Sequence, residues 1–545
     1  MAKYIFVVGG VMSGVGKGIA TASIGRILQA KGYRVTAVKI DPYINVDAGT
    51  MNPVEHGEVF VTTDGDETDQ DVGNYERFLD TDITSANYMT TGRVYQTVIE
   101  RERNLEYGGK TVEVVPHVPE EVIRRLRRAA KLAKADVVIV EVGGTVGEYQ
   151  NILFLEAGRM MHLAKPKDVL FALVSYLPIP SNLGEMKTKP TQYAAQTLNS
   201  AGIQPDFIIA RASKPLDEPR KRKIAMFCSV DKRDIISAPD AETVYEVPLI
   251  FEHEGLAGRI LKKFGLRAKG RDLSDWMKLV KTIKTAKKEV KIAVIGKYFT
   301  TGDFILSDVY ISVIEALKHA AWFHGAQAKL EWLNSEEFER DPSLLKNLSS
   351  YDGVVIPGGF GSRGVEGKIA VIRYAREKKI PYLGLCYGMQ LAVVEYARSV
   401  CGLAEANTAE IAPGVIHPVI HIMPDQEQAM AIKKYGGTMR LGSYPCVLTR
   451  GSVSYKAYGK KTISERHRHR YEVNNEYRQK LEEKGLRIAG QSPNGKLVEI
   501  VEVPDHPFFV GTQFHPEFLS RPLRPHPLFR EFVRAALRRG NSDRE

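Results

Sequence analysis

The chain has 545 residues, 43% hydrophobic and 26% charged, with a net charge of +11 at pH 7. That length is too great for one core and calls for two or three domains of ordinary globular composition. The charge is spread along the chain, apart from a short basic stretch at Arg534–Arg539, and suits anionic small molecules; no nucleic-acid-binding module stands out.

The four cysteines, Cys228, Cys386, Cys401 and Cys446, form no C-x-x-C pair and no disulfide framework, which favours a reducing compartment. No run approaches the roughly 18 apolar residues of a membrane span. Tyr4–Val8 leads straight into glycines and reads as a buried strand rather than a signal peptide. A cytoplasmic protein with no membrane or nucleic-acid partner is expected.

After the Tyr4–Val8 strand and a glycine-rich turn, Ile19, Ala22, Ile24, Ile27 and Leu28 recur at helical spacing until Gly32. Arg34–Ile40 is again strand-like and completes a βαβ unit. Asp136–Val142, Val169–Val174 and Phe207–Ala210 read as further buried parallel strands. From about Gly265 the charged stretch through Arg271–Met277 and Lys278–Lys291 predicts an exposed linker helix. A second α/β series opens at Lys291–Gly296. The expected domains are 1–266, a linker at 267–290, and 291–545.

The turn Gly9-Gly-Val-Met-Ser-Gly-Val-Gly-Lys-Gly18 lies between a predicted strand and helix, the setting a phosphate loop needs. Lys17 supplies a charge for phosphates. Val11 and Gly18 depart from G-x-x-x-x-G-K-[ST], so a structural turn is the alternative. With Gly18 unable to hold a metal, Asp71, in the acidic run Asp64–Asp71, and Glu141, at the end of an apolar strand, are the candidate Mg²⁺ ligands. For the acidic run, a solvated loop is the ordinary reading. Lys187-Thr-Lys-Pro-Thr-Gln192 packs cations, hydroxyls and an amide into six residues and suits a triphosphate, although alone it reads as an exposed turn.

In the second half, Tyr351–Gly361 is a strand running into a glycine turn. Ile380–Gln390 is a strand, then Gly384-x-Cys386-x-Gly388, then a helix: a nucleophile elbow bearing cysteine. The helix N-terminus lowers a thiol pKa there. Phe508–Glu517 is a strand ending in His515-Pro-Glu517, whose imidazole and carboxylate complete a Cys–His–Glu triad, with the Gly359 and Phe360 amides as oxyanion donors. In Arg466-His-Arg-His-Arg470, a metal reading of His467 and His469 yields to anion or carboxylate binding, because the flanking arginines repel cations.

These residues carry a resemblance. The chain resembles the CTP synthase family over essentially its full length, through Lys39–Asp47, His56–Val61, Tyr75–Phe78, Glu141–Gly147, Lys187–Gln192, Gly437–Gly442 and Glu465–Asn474. The resemblance implies a P-loop-like parallel-sheet amidoligase domain followed by a class I glutamine amidotransferase α/β domain. It implies ATP-driven phosphorylation of O4 of UTP, hydrolysis of L-glutamine through a thioester at Cys386, and internal delivery of ammonia to make CTP. By the same resemblance, ATP is held by Gly14, Val15, Gly16, Lys17, Gly18, Ile19, Asp71, Pro239, Asp240 and Ala241. UTP or CTP is held by Ser13, Glu148, Tyr149, Gln150, Lys187, Thr188, Lys189, Pro190, Thr191, Gln192 and Lys223, and Mg²⁺ by Asp71 and Glu141. Glutamine is placed by Gly359, Tyr387, Gly388, Met389, Gln390, Glu410 and Arg470. GTP as activator, CTP as feedback inhibitor and a homotetramer also follow from it.

Three departures bear on this. The phosphate loop reads Ser13-Gly-Val-Gly-Lys-Gly18. Glu148-Tyr149-Gln150 stands where the family has Asp-Ile-Glu, a segment linked to CTP feedback. Tyr298–Asp308 is about five residues longer than the family's loop, in a region linked to GTP activation. The competing readings are another ATP-dependent glutamine amidoligase, disfavoured by Lys187–Gln192, and a catalytically retired filament or regulatory homologue. The presence of Lys17, Glu141, Cys386 and His515 argues against the latter.

Overall fold

A computed structural model of the chain describes residues 2–182, 184–270, 272–296, 300–301, 304–305, 307–423 and 439–542. Tyr298, Phe299, Gly302, Asp303 and Leu306 of the long 298–308 stretch, and Gly437 and Thr438, lie outside the described residues. The chain divides into unit 1, Met1–Ala48 with Asp71–Val280, and unit 2, Gly49–Gln70 with Lys281–Glu545.

In unit 1 the β-branched runs become strands because both faces are covered and every backbone group can pair. They are β1 (Lys3–Gly10), β2 (Val35–Asp41), β3 (Tyr88–Thr90), β4 (Val137–Val142), β5 (Val169–Tyr176), β6 (Phe207–Ala212) and β7 (Ile235–Pro239). Among the described residues they form one parallel sheet of order β3-β2-β4-β1-β5-β6-β7. Phe6, Val8, Val38, Ile40, Val138, Val140, Phe171 and Leu173 are buried together in one of its cores. Helix α1 (Lys17–Ala30) follows the phosphate loop directly, α2 (Gln70–Leu79) carries Asp71 in its first turn, and α3 (Lys189–Ser200) carries most of the Lys187–Gln192 stretch.

The charged connector is not the exposed helix its composition suggests. Ser274–Thr285 is helical, but Trp276 is 1% exposed and donates its indole N–H to the Tyr245 carbonyl at 2.7 Å. Leu279, Val280 and Ile283 of the same helix are also buried. The lysines occupy one face while apolar residues at i, i+3, i+4 and i+7 occupy the other, an amphipathic pattern the charge run obscures.

Unit 2 uses β8 (Lys288–Gly296), β9 (Ala326–Asn334), β10 (Gly353–Ile356), β11 (Tyr382–Leu385), β12 (Arg440–Leu448), β13 (Thr462–His469), β14 (Arg487–Gln491), β15 (Val498–Glu502) and β16 (Phe509–Thr512). Among the described residues these form a sheet of order β9-β8-β10-β11-β16-β15-β14-β12-β13. It is parallel from β9 to β16 and antiparallel beyond. Alternation along the strands divides the core: Ala293, Ile295, Val354 and Ile356 enter one cluster, and Ile292, Val294, Val355 and Leu383 the other. No helix among the described residues is long and apolar enough to cross a membrane.

Candidate active sites

In both units the chemistry-bearing residues leave the carboxyl ends of adjacent parallel strands, where a doubly wound sheet opens its ligand crevice. In unit 1, β1 runs into the loop that ends at Lys17, on the first turn of α1. Lys17 Nζ donates to the Gly144 carbonyl at 2.8 Å. Burial lowers its pKa, against the pull of Glu141.

Lys39 and Glu141 are register partners across β2 and β4, so their side chains point to the same face. Lys39 Nζ lies 3.1 Å from Glu141 Oε1, 2.5 Å from Asp71 Oδ2 and 3.7 Å from Asp41 Oδ1. The Tyr75 hydroxyl donates to the other Glu141 oxygen. Burial raises the pKa of Glu141, and the Asp71 charge adds to that, while Lys39, Lys17 and the Tyr75 hydroxyl oppose it.

Gly18 stands where a phosphate loop ordinarily places its metal-binding hydroxyl, and a Cβ there would collide with the Asp71 carboxylate. The Asp71 oxygen therefore occupies the space that a Ser or Thr side chain would fill. Asp71 and Glu141 together offer the two carboxylates that Mg²⁺ commonly takes beside phosphate and water. Among the described residues no group of three or more His, Cys, Asp or Glu could hold a metal.

The structure also brings forward residues that sequence reasoning did not single out. Lys39 had a signal, a lysine inside the apolar strand Val35–Asp41. Arg211 had none. Its guanidinium lies beside Gly16, approaches the Ala238 and Pro239 carbonyls at 3.4 Å, and pairs with Asp240 at 3.0 Å. It thereby holds Ala238–Asp240 on the side of the sheet where Gly16 lies. Ser13, Lys189 and Lys223 are exposed and Lys187 half-buried, its ammonium 2.7 Å from Glu185. Thr188, Thr191 and Gln192 instead turn inward: Thr191 Oγ1 lies 2.8 Å from the Ser175 hydroxyl, and Gln192 donates to Thr188 Oγ1 at 3.0 Å. Of Glu148-Tyr149-Gln150, Glu148 accepts from the Thr145 amide at 2.9 Å, while Tyr149 is 95% exposed.

In unit 2, β11 and β16 pair with Leu385 opposite Thr512, so the residues just beyond them meet. Cys386 follows β11 with φ 49° and ψ −97°, a strained turn that leads into α4 (Tyr387–Ser399). The elbow closes tightly: a Cβ on Gly388 would run into the Ile356 carbonyl. His515 follows β16, and its Nδ1 donates to Glu517 Oε1 at 2.7 Å. Among the described residues, His515 Nε2 has no hydrogen-bond partner. Burial works against its charged form, but the Glu517 carboxylate and the Cys386 thiol push its pKa up to about 10. Burial raises the other three thiols, Cys228 to about 11.

Cys386, His515 and Glu517 line a cavity of about 370 Å³ together with Gly359, Phe360, Gln390, Glu410 and Arg470. Glu410 accepts from the Gly361 amide at 2.9 Å. Glu410 and Arg470 place a carboxylate and a guanidinium in the cavity wall, beside Glu58, Glu517 and Arg468, and so offer partners for the ammonium and carboxylate of a free amino acid. Tyr387 and Met389 are buried in the first turn of α4, the Tyr387 hydroxyl donating to the Gly361 carbonyl at 3.0 Å.

The 466–470 stretch alternates, as a strand must. His467 and His469 pack inward, with Nδ1 of one 3.1 Å from Nε2 of the other. Burial and Arg440 lower both pKa values, that of His469 to about 3. Among the described residues neither belongs to a group of three or more His, Cys, Asp or Glu that could hold a metal. Arg466 donates to the Val61 carbonyl at 3.0 Å and Arg468 to Glu67 at 2.8 Å, so these arginines fasten residues 49–70, while Arg470 reaches the cavity.

Residues 3–266 match the family model for the CTP synthase N-terminus, and residues 305–535 match that for class I glutamine amidotransferases. A CTP synthase of Carboxydothermus hydrogenoformans is 52% identical over 539 residues, 99% of either chain. One of Caldanaerobacter subterraneus subsp. tengcongensis is 50% identical over 538 residues, 98% of either chain. With two such sites, one fit for nucleotide phosphates and one for glutamine, and with relatives matched from end to end, the chain belongs to the CTP synthase family.

Proposed function

We propose that the residues above divide one coupled reaction between the two units. The chain is a glutamine-hydrolysing carbon–nitrogen ligase, aminating UTP to CTP at the expense of ATP with ammonia taken from glutamine. In unit 2, His515 Nε2 holds the Cys386 proton as an imidazolium, and the thiolate attacks the glutamine carboxamide carbon while the developing oxyanion faces the Gly359 and Phe360 amides. The imidazolium returns its proton to the departing nitrogen, ammonia leaves, and a thioester remains. Water, deprotonated by the same imidazole, cleaves the thioester and releases glutamate. Glu410 and Arg470 fix the substrate's ammonium and carboxylate.

In unit 1, Gly14–Ile19 cradle ATP, with Pro239, Asp240 and Ala241 beside it, and Lys17 steadies the transferred phosphoryl group. Asp71 and Glu141 would hold Mg²⁺, which neutralises phosphate charge. Ser13, Glu148–Gln150, Lys187–Gln192 and Lys223 bind UTP or CTP. Ammonia then displaces phosphate from the activated pyrimidine. Activation by GTP, feedback by CTP, a homotetrameric assembly and a cytoplasmic site of action complete the reading, all on the strength of the family resemblance.

The observation that carries the reading is the Cys386–His515–Glu517 set opening on a cavity that also holds Glu410 and Arg470. The test is CTP formation from UTP, ATP and Mg²⁺ with glutamine or ammonium as donor. Cys386→Ala should abolish glutamine-dependent synthesis and leave ammonium-dependent synthesis within about twofold of wild type. A wild type inactive with both donors would overturn the assignment.

A further inference from the structure

Among the described residues, the Cys386 sulfur has two polar neighbours besides His515, and they are of opposite kind. The Arg468 carbonyl lies 3.8 Å from Sγ and can only accept; Gln513 Nε2 lies 3.6 Å away and donates. Gln513 is 1% exposed and Gln390 2%. A side-chain amide can present either its nitrogen or its oxygen, so the polarity Gln513 offers to the sulfur depends on what fixes it.

A chain of three groups fixes it. The Tyr471 carbonyl, which can only accept, lies 2.9 Å from Gln390 Nε2 and so sets the Gln390 amide with its nitrogen on that side. The same nitrogen lies 3.3 Å from Gln513 Oε1, which makes that atom the acceptor and leaves the Gln513 N–H₂ facing Cys386. Flipping Gln513 would bring two N–H₂ groups together and set a carbonyl oxygen against the sulfur. The topology supplies the juxtaposition: Gln513 follows β16 as Cys386 follows β11, and Gln390 lies one turn along α4.

We infer that Gln513 is a further catalytic residue of the glutaminase reaction, donating its amide N–H to the Cys386 thiolate with its polarity locked by Gln390 and the Tyr471 carbonyl. While it carries its proton, the thiol gives its S–H to the Arg468 carbonyl. When His515 Nε2 takes that proton, the S–H bond breaks, its electron pair stays on sulfur, and Gln513 becomes the favourable neighbour. When water later cleaves the thioester, the C–S electron pair returns to sulfur and the same N–H receives it. Charge at sulfur therefore meets a fixed donor both at attack and at release. This deepens the proposed function and rests on Cys386 being the nucleophile.

The test uses the full-length protein. Alkylation of Cys386 by iodoacetamide is followed by peptide mass spectrometry as a function of pH, alongside glutamine- and ammonium-dependent CTP synthesis. Gln513→Leu, which removes the donor, should move the alkylation midpoint up by about one pH unit or more. It should also cut kcat with glutamine about 100-fold, with KM for glutamine and the ammonium-dependent rate near wild type. Gln513→Glu, which keeps the shape and reverses the polarity, should move the midpoint further in the same direction. Gln390→Met, which frees the Gln513 amide to turn, should produce a smaller shift of the same sign. If Gln513→Leu also loses ammonium-dependent synthesis, its fold has failed and Gln513→Glu decides. An unchanged midpoint and kcat in Gln513→Glu would overturn the inference. Alkylation reads the thiol directly, so the inference and the CTP assignment fail separately: loss of the latter appears as a wild type that makes no CTP.

Discussion

At the scale of single residues, the glutaminase site depends on one imidazole being held charged in a buried place. Burial alone would strip the His515 proton; Glu517 first, and Cys386 after it, keep it there to about pH 10. A folded pKa above the ordinary His value of about 6.5 stabilises the fold fully below that pH. The contribution is lost as the pH climbs through about 10. Glu517→Gln removes the main opposing charge, so the alkaline limb of glutamine-dependent synthesis should move down by about one pH unit or more. The ammonium-dependent profile should stay where it was. Steady-state rates from pH 6 to pH 10 with each donor check this, and coincident profiles in both proteins would refute it.

At the scale of elements, the turn between strand and helix does the positioning in both units. Lys17 and Cys386 each sit where a parallel strand gives way to a helix, and such strand–glycine–helix signatures can be read in a linear sequence. What could not be read is how residues 49–70 belong to unit 2. They are gripped by β13, through Arg466 to the Val61 carbonyl and Arg468 to Glu67, and their Glu58 accepts from the Ser312 amide and hydroxyl. Glu67 is 2% exposed, so Arg468→Ala would leave an uncompensated buried charge, at a cost of about 3–5 kcal/mol. Glu58, Val59 and Arg468 itself line the cavity proposed for glutamine, so the same variant should raise KM for glutamine. Thermal melts and glutamine titrations check both, and an unchanged KM would detach the segment from the site.

At the scale of the whole molecule, two chemistries occupy two units, and each can be stopped without the other. Gly18→Ser restores the hydroxyl of an ordinary phosphate loop but drives its side chain into Asp71. It should lower CTP synthesis from either donor by about 100-fold, because displacing a positioned carboxylate by about 1 Å is enough to do so. Glutamine hydrolysis in unit 2 should persist. Glutamate release and CTP formation measured in parallel distinguish this from general unfolding, which would lower both.

The parallel-sheet architecture, the phosphate loop, the thiol elbow and the His515–Glu517 pair were legible in the sequence because each is local. An apolar run, a glycine turn or an i, i+2 pair carries its meaning within about ten residues. Only the tertiary structure decided the remainder. That Gly18 is glycine because Asp71 fills its place, that Lys39 answers Glu141 across two strands, and that Trp276 turns a charged connector inward all depend on contacts between distant segments. The same holds for Arg466 and Arg468, which resemble an anion site in a linear chain and serve instead to fasten residues 49–70, because strand alternation sends neighbouring side chains to opposite faces.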